Sequence, residues 1–214
     1  AVSVLEDLHR KDPKDTTCLN NLAIAYLGTN QPERALPLVD EALALSPDQF
    51  ESHLNRAACE LSLAPLLQAK GQASAAQAAL QTALESVEAG LRLAPQSAKG
   101  YSLRGRVLEA LGRPGDAVAA FLRAIDLGAT EEEMYIHLIR VMVPTQGLAE
   151  AIRMLGEGIA QPGPRLDLRY QECGMLLQDG QGALARERQR AMAALAPQDP
   201  RTLKMDNILR KAGF

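Results

Sequence analysis

One ruler of helix-ending positions constrains this chain more than any other feature: Pro13, Pro47, Pro95, Ala129, Gly163 and Pro197 recur at a fixed interval, lengthened only between Pro47 and Pro95. The common interval is about 34 residues, a period that marks one supersecondary unit copied along the chain. No copy can bury its apolar face alone, so neighbours must stack into a continuous core. Function in such a protein belongs to a surface.

The residues between the marks repeat as well. Twelve, eight and five places before each mark stand apolar or small residues: Ala1, Leu5, Leu8; Ala35, Val39, Ala42; Ala83, Val87, Gly90; Ala117, Phe121, Ala124; Ala151, Leu155, Gly158; and, more weakly, Ala185, Gln189, Met192. Spacings of four and three put each trio on one side of a helix. These predict the second helices of helical hairpins. The first helices carry an anchor followed three, four and seven places later: Leu19, Leu22, Ala23, Tyr26; Leu54, Ala57, Ala58, Leu61; Tyr101, Arg104, Gly105, Leu108; Tyr135, Leu138, Ile139, Met142; Arg169, Glu172, Cys173, Leu176.

This double pattern resembles the tetratricopeptide repeat family, which shares its period. The departures are the lack of tryptophan, Ile139 at a normally small position, and Arg169 and Glu172 as anchors of the fifth copy. The resemblance covers nearly the whole chain. It implies an all-α, right-handed superhelical solenoid of antiparallel hairpins. The expected organisation is a single solenoid: a partial repeat over 1–13, repeats over 15–47, 48–95, 97–129, 130–163 and 165–197, and a capping helix over 199–214. That last helix is expected to start at the capping carboxylate of Asp199 followed by Pro200. Thr130 and Glu133 have the spacing of a capping box.

Composition agrees with helices packed through alanine and leucine: 47% of residues are apolar and only 3% aromatic. A formal charge of -3 excludes a general polyanion binder, for which a basic stripe is expected, so no nucleic-acid partner is implied. No apolar run is long enough for membrane insertion. Cys18, Cys59 and Cys173 lie at no metal-like spacing and read as reduced packing residues, which favours a cytoplasmic location. His9, His53 and His137 fall in different repeats, and no phosphate-cradling loop follows a strand. No catalytic residue, metal or cofactor is assigned, and the expectation is a protein that is not an enzyme.

The interval from Pro47 to Pro95 exceeds the others by about four helical turns, which lie around Leu63 to Gln77. Shared equally, the surplus adds about two turns to each helix and nearly preserves the helical phase. The expectation is an elongated hairpin turning near Gly71, with Pro65 kinking its first arm or starting a new helix. Leu63, Leu66, Leu67 and Leu80 near its tip are candidates either for packing on each other or for a partner or self-association surface.

By the family resemblance, first helices form a concave wall and its inward residues follow the first anchor of each hairpin. That assigns a peptide-binding groove to Asn20, Ile24, Asn55, Cys59, Lys99, Ser102, Arg106, Ile136, Arg140 and Tyr170. Asn20 and Asn55 have the chemistry to hold a peptide backbone, and Lys99, Arg106 and Arg140 to steer a carboxylate. The chaperone-binding subset of the family clamps a C-terminal carboxylate with lysine, asparagine and arginine, and of that set only Lys99 is matched here, against Asn20, Ile24, Arg56 and Leu103. The reading is a protein-interaction scaffold or adaptor for an extended, partly acidic peptide. Alternatives are an assembly factor that forms homo-oligomers through the long hairpin or the open N-terminal end, and a regulatory arm of a larger enzyme.

Overall fold

The computed structural model describes residues 2–214; Ala1, the first member of the first trio, lies outside them. The described residues form twelve α-helices: α1 (Val2–Lys11), α2 (Thr16–Gly28), α3 (Pro32–Leu45), α4 (Phe50–Ala69), α5 (Ala73–Leu93), α6 (Ala98–Ala110), α7 (Pro114–Asp126), α8 (Glu132–Gln146), α9 (Leu148–Ile159), α10 (Leu166–Gln178), α11 (Gly182–Leu195) and α12 (Pro200–Lys211). No strand occurs among these residues. From α2 onward, consecutive helices pair as antiparallel hairpins, and α12 packs against α10 and α11. Two compact units result, one through Gly128 and one from Ala129 to Phe214.

In the first unit, the hairpins α2–α3, α4–α5 and α6–α7 bury the trios foreseen by the register. Ala35, Val39, Ala42, Ala83, Val87, Ala117, Phe121 and Ala124 are fully shielded from solvent. The close approach of paired helices has a concrete cause at Gly105. A Cβ there would lie 2.6 Å from the Phe121 ring of α7, so only a glycine lets α6 meet that aromatic side chain. In α1, by contrast, none of the described residues is buried: Val4 is 61% and Leu8 48% exposed, though the equivalents of Leu8 in the other hairpins are covered by first helices.

The long hairpin has the expected dimensions. α4 has 20 residues and α5 21, against 13 in α2 and 14 in α3. The turn between its arms is made at Gly71, whose φ of 74° lies in the left-handed region. Pro65 neither ends α4 nor starts a new helix: one helix runs through it. At the far end, Ala64, Ala76, Ala79 and Leu80 pack together with Leu61, Leu67 and Leu111.

The second unit pairs α8 with α9 and α10 with α11. Gly158 plays the part of Gly105, since a Cβ there would meet Tyr135 at 2.8 Å and Leu168 at 2.9 Å. The Thr130–Glu133 capping box does not form. Glu131 occupies the N-cap of α8 without capping the helix N–H groups, its carboxylate accepting instead from the N–H of Thr130 at 3.0 Å, and Glu132 accepts a hydrogen bond at 3.0 Å from the backbone N–H of Leu168, in the first turn of α10. A carboxylate at a helix N-terminus is favoured by the exposed amides and the helix dipole, so this acid ties one hairpin to the next. At α12, Asp199 caps the N–H of Arg201 with Pro200 in the first turn, as foreseen.

The Gly105 contact gives a direct check. Gly105→Ala forces the Phe121 ring to move within a filled core and is expected to cost about 1–3 kcal/mol, read as a lowered urea midpoint with an unchanged slope.

Candidate functional site

The groove positions of the first unit lie on α2, α4 and α6, and they divide into buried and accessible groups. Asn20 is 5% and Asn55 6% exposed. The Asn20 amide donates to the carbonyl of Thr16 at 2.9 Å, to Ser52 Oγ at 2.8 Å and to Gln49 Oε1 at 3.2 Å, while Asn55 donates to Asn20 Oδ1 at 2.9 Å. Ser52 in turn donates to Gln49 at 2.8 Å. These asparagines therefore spend most of their capacity in joining α2 to α4, which corrects the expectation of two amides held out for a ligand. The physical reason is that equivalent positions on adjacent first helices are near enough to bond each other.

Cys59 is also corrected. It is fully buried, packed with Leu22, Ala23, Tyr26, Ala35 and Val39, and does not reach a groove surface. Burial pushes its thiol up to about 12, with Glu60 and Asp40 adding to the rise and Arg56 opposing it. Cys173 is likewise fully buried and pushed up to about 12, and Cys18 is buried and raised. The remaining positions are accessible. Ile24 is 48% exposed, Lys99 is exposed, and Ser102 and Arg106 are half-buried.

In the second unit, Ile136 is half-buried and Arg140 exposed on α8, and Tyr170 is half-buried on α10. Between these two helices, Ile136, Ile139, Arg140, Gln171 and Met175 line a depression of about 250 Å³. Its floor is aliphatic and thioether, with a guanidinium and an amide for polar groups. Lys204 of α12 stands 5.7 Å from the Tyr170 ring, a cation–π distance. Gln171 and Met175 are not singled out by the sequence pattern. Their spacing of four, one place after Tyr170 and Gly174, is the signal that could have found them.

At the long hairpin, Leu63, Leu66 and Leu67 are half-buried, whereas Leu80 is 8% exposed and belongs to the packing between the arms. Leu80 is thus mainly a core residue, because the arms face each other in phase.

Two acids are buried: Glu172, at an anchor position of the fifth copy, and Glu60, which the sequence pattern does not single out. Glu172 is 8% exposed and pairs with Arg188 at 3.4 Å. Glu60, also 8% exposed, forms no hydrogen bond or ion pair among the described residues, since Arg56 binds Asp40 at 2.7 Å. Desolvation raises the Glu60 carboxyl, partly opposed by Arg56 and reinforced by Asp40. No group of three or more His, Cys, Asp or Glu able to hold a metal occurs among the described residues, and no helix is long and apolar enough to cross a membrane. His53 bonds the carbonyl of Pro47 at 2.8 Å and His137 lies 3.8 Å from Glu133, so each is occupied locally.

Residues 20–63 and 61–132 match the tetratricopeptide repeat family, together spanning more than half of the chain. The chain belongs to that family. No curated protein matches it by sequence. Among solved structures, a thermophilic tetratricopeptide protein of Thermus thermophilus is similar at a TM-score of 0.72 and 23% identity, over 82% of this chain and 89% of that one. PilF of Pseudomonas aeruginosa reaches 0.65 at 18% identity, over 92% and 83% of the two chains. YrrB, described as a tetratricopeptide protein with an unusual peptide-binding site, reaches 0.55 at 19% identity, over 97% and 100%. At these identities the likeness is one of fold.

Two outcomes check the assignments. Native protein at neutral pH is expected to resist alkylation by iodoacetamide at Cys59 and Cys173, with all three cysteines reacting in urea, as counted by mass spectrometry. Glu60 has a folded pKa above its unfolded value, so its ionised form costs stability above the folded pKa and that cost vanishes as pH falls to the ordinary carboxylate range. Glu60→Gln is therefore expected to stabilise the protein at neutral pH, with the gain fading towards about pH 4 in urea melts.

Proposed function

We propose that this protein is a non-enzymatic interaction scaffold that takes an extended, partly acidic peptide on the exposed face of its first helices. The observation that carries the reading is the depression between α8 and α10, with Ile136, Ile139 and Met175 as an apolar floor and Arg140 and Gln171 beside it. An apolar side chain placed on that floor leaves water, and an adjacent carboxylate meets the Arg140 guanidinium, a pairing favoured by charge and geometry. Gln171 offers both a donor and an acceptor to the peptide main chain. In the first unit, Ile24, Lys99, Ser102 and Arg106 are the accessible counterparts on α2 and α6. Family membership supports the coarser part of the reading, since stacked helical hairpins present extended surfaces used for protein recognition. The YrrB comparison is in keeping with a peptide ligand.

A second reading is favoured by α1 alone. Val4 and Leu8 are exposed one helical turn apart on α1, and an apolar face of this sort invites self-association.

The two readings part on measurement. A fluorescein-labelled peptide of alternating leucine and aspartate is expected to bind the monomer, and Arg140→Glu to weaken it about tenfold or more. Unchanged affinity would sink the assignment of Arg140. Mass that rises with concentration and drops to monomer in Leu8→Glu, with no peptide binding, would instead establish assembly through α1.

A further inference from the structure

The inserted turns of the long hairpin make a second recess, unlike the first in chemistry. Leu61, Ala64, Pro65 and Gln68 recur at helical spacing along one side of α4, and Ala73, Ala76, Gln77 and Leu80 along the facing side of α5. With Ala110 at the end of α6 they line a slot of about 320 Å³. That is near the lower end of the range for ligand pockets, about 300–1,000 Å³, and suits a short segment.

Two polar side chains line this slot. The side-chain amides of Gln68 and Gln77 line it and have no hydrogen-bond partner among the described residues. Pro65, which also lines the slot, has no N–H to offer the carbonyl of Leu61 one turn back. An occupant with unsatisfied donors and acceptors of its own is therefore matched here. A helix satisfies its own main chain, whereas an extended segment does not.

The slot also lacks any ionisable lining residue, in a chain of which 23% is charged. The crevices between α1 and α3 and between α3 and α5 contain Glu6, Arg10 and Arg34, and Asp40, Arg56 and Glu85, respectively. A charged side chain entering the slot would shed water and meet no counter-charge, a penalty that selects an uncharged occupant. Leu61 to Gln68 spans about 10 Å of helix, the reach of about three extended residues.

We propose that this slot is a second peptide-binding site, for an uncharged extended segment of about three residues. One branched apolar side chain rests on Ala64, Ala76 and Leu80, and Gln68 and Gln77 hold the main chain. The site uses none of the residues of the α8–α10 depression, so the two assignments stand or fall separately.

The test is a nitrogen-15 NMR titration of the full chain with acetyl-Gly-Ser-Leu-Ser-Gly-amide and with its counterpart carrying aspartate in place of leucine. The leucine peptide is expected to shift the side-chain NH2 signals of Gln68 and Gln77 and the backbone signals of Ala64 and Ala76, and the aspartate peptide to leave them in place. Gln68→Glu combined with Gln77→Glu, both at exposed positions, is expected to weaken the leucine peptide about tenfold with the melting temperature retained. No shift, an equal response to both peptides, or shifts confined to α8 and α10 would overturn the proposal. So would a peptide-independent dimer abolished by the double variant, which would give the slot to a second copy of the chain.

Discussion

Everything in this protein depends on pairs of helices approaching closely enough for apolar side chains on one to fill the space left by small residues on the other. Gly105 facing Phe121 shows the rule at its tightest, and Gly158 against Tyr135 and Leu168 repeats it in the second unit. Because helices of only three or four turns are marginal alone, their stability comes from this burial. That is why the apolar trios are so regular while the outward residues between them vary.

The polar interior follows from the same stacking. Adjacent first helices bring equivalent positions into bonding range, and a buried amide must then be satisfied by its neighbours. Asn20, Asn55, Ser52 and Gln49 solve that problem among themselves. Glu132 solves another by accepting from the first turn of α10. Glu172 is compensated by Arg188, whereas Glu60 is not compensated by a direct partner. Residues that look like ligand groups in one dimension thus become internal ties between helices.

The elongated hairpin shows how an insertion can be absorbed without disturbing the stack. About two extra turns per arm keep each apolar stripe in phase, so Ala64, Ala76, Ala79 and Leu80 continue the contact between the arms. The same extension exposes the Gln68 and Gln77 side chains along one flank. The added length contributes a core of its own and a recess with different chemistry from the α8–α10 face.

Periodicity alone determined the hairpins, their order, the lengthening of α4 and α5 and the turn at Gly71, since these depend on local phase and on backbone preferences carried by single residues. Ile136 and Arg140 were reached only through the family resemblance. What periodicity could not decide was which polar or small residues would be spent inside: the mutual bonding of Asn20 and Asn55, the burial of Cys59 and Leu80, the failure of the Thr130 capping box and the joining of Gln171 and Met175 to the α8–α10 floor. Those outcomes depend on distances between helices far apart in sequence. Such distances exist only once neighbouring hairpins have docked, because whether a side chain meets solvent or a partner is a property of the packed assembly of helices and not of any one helix.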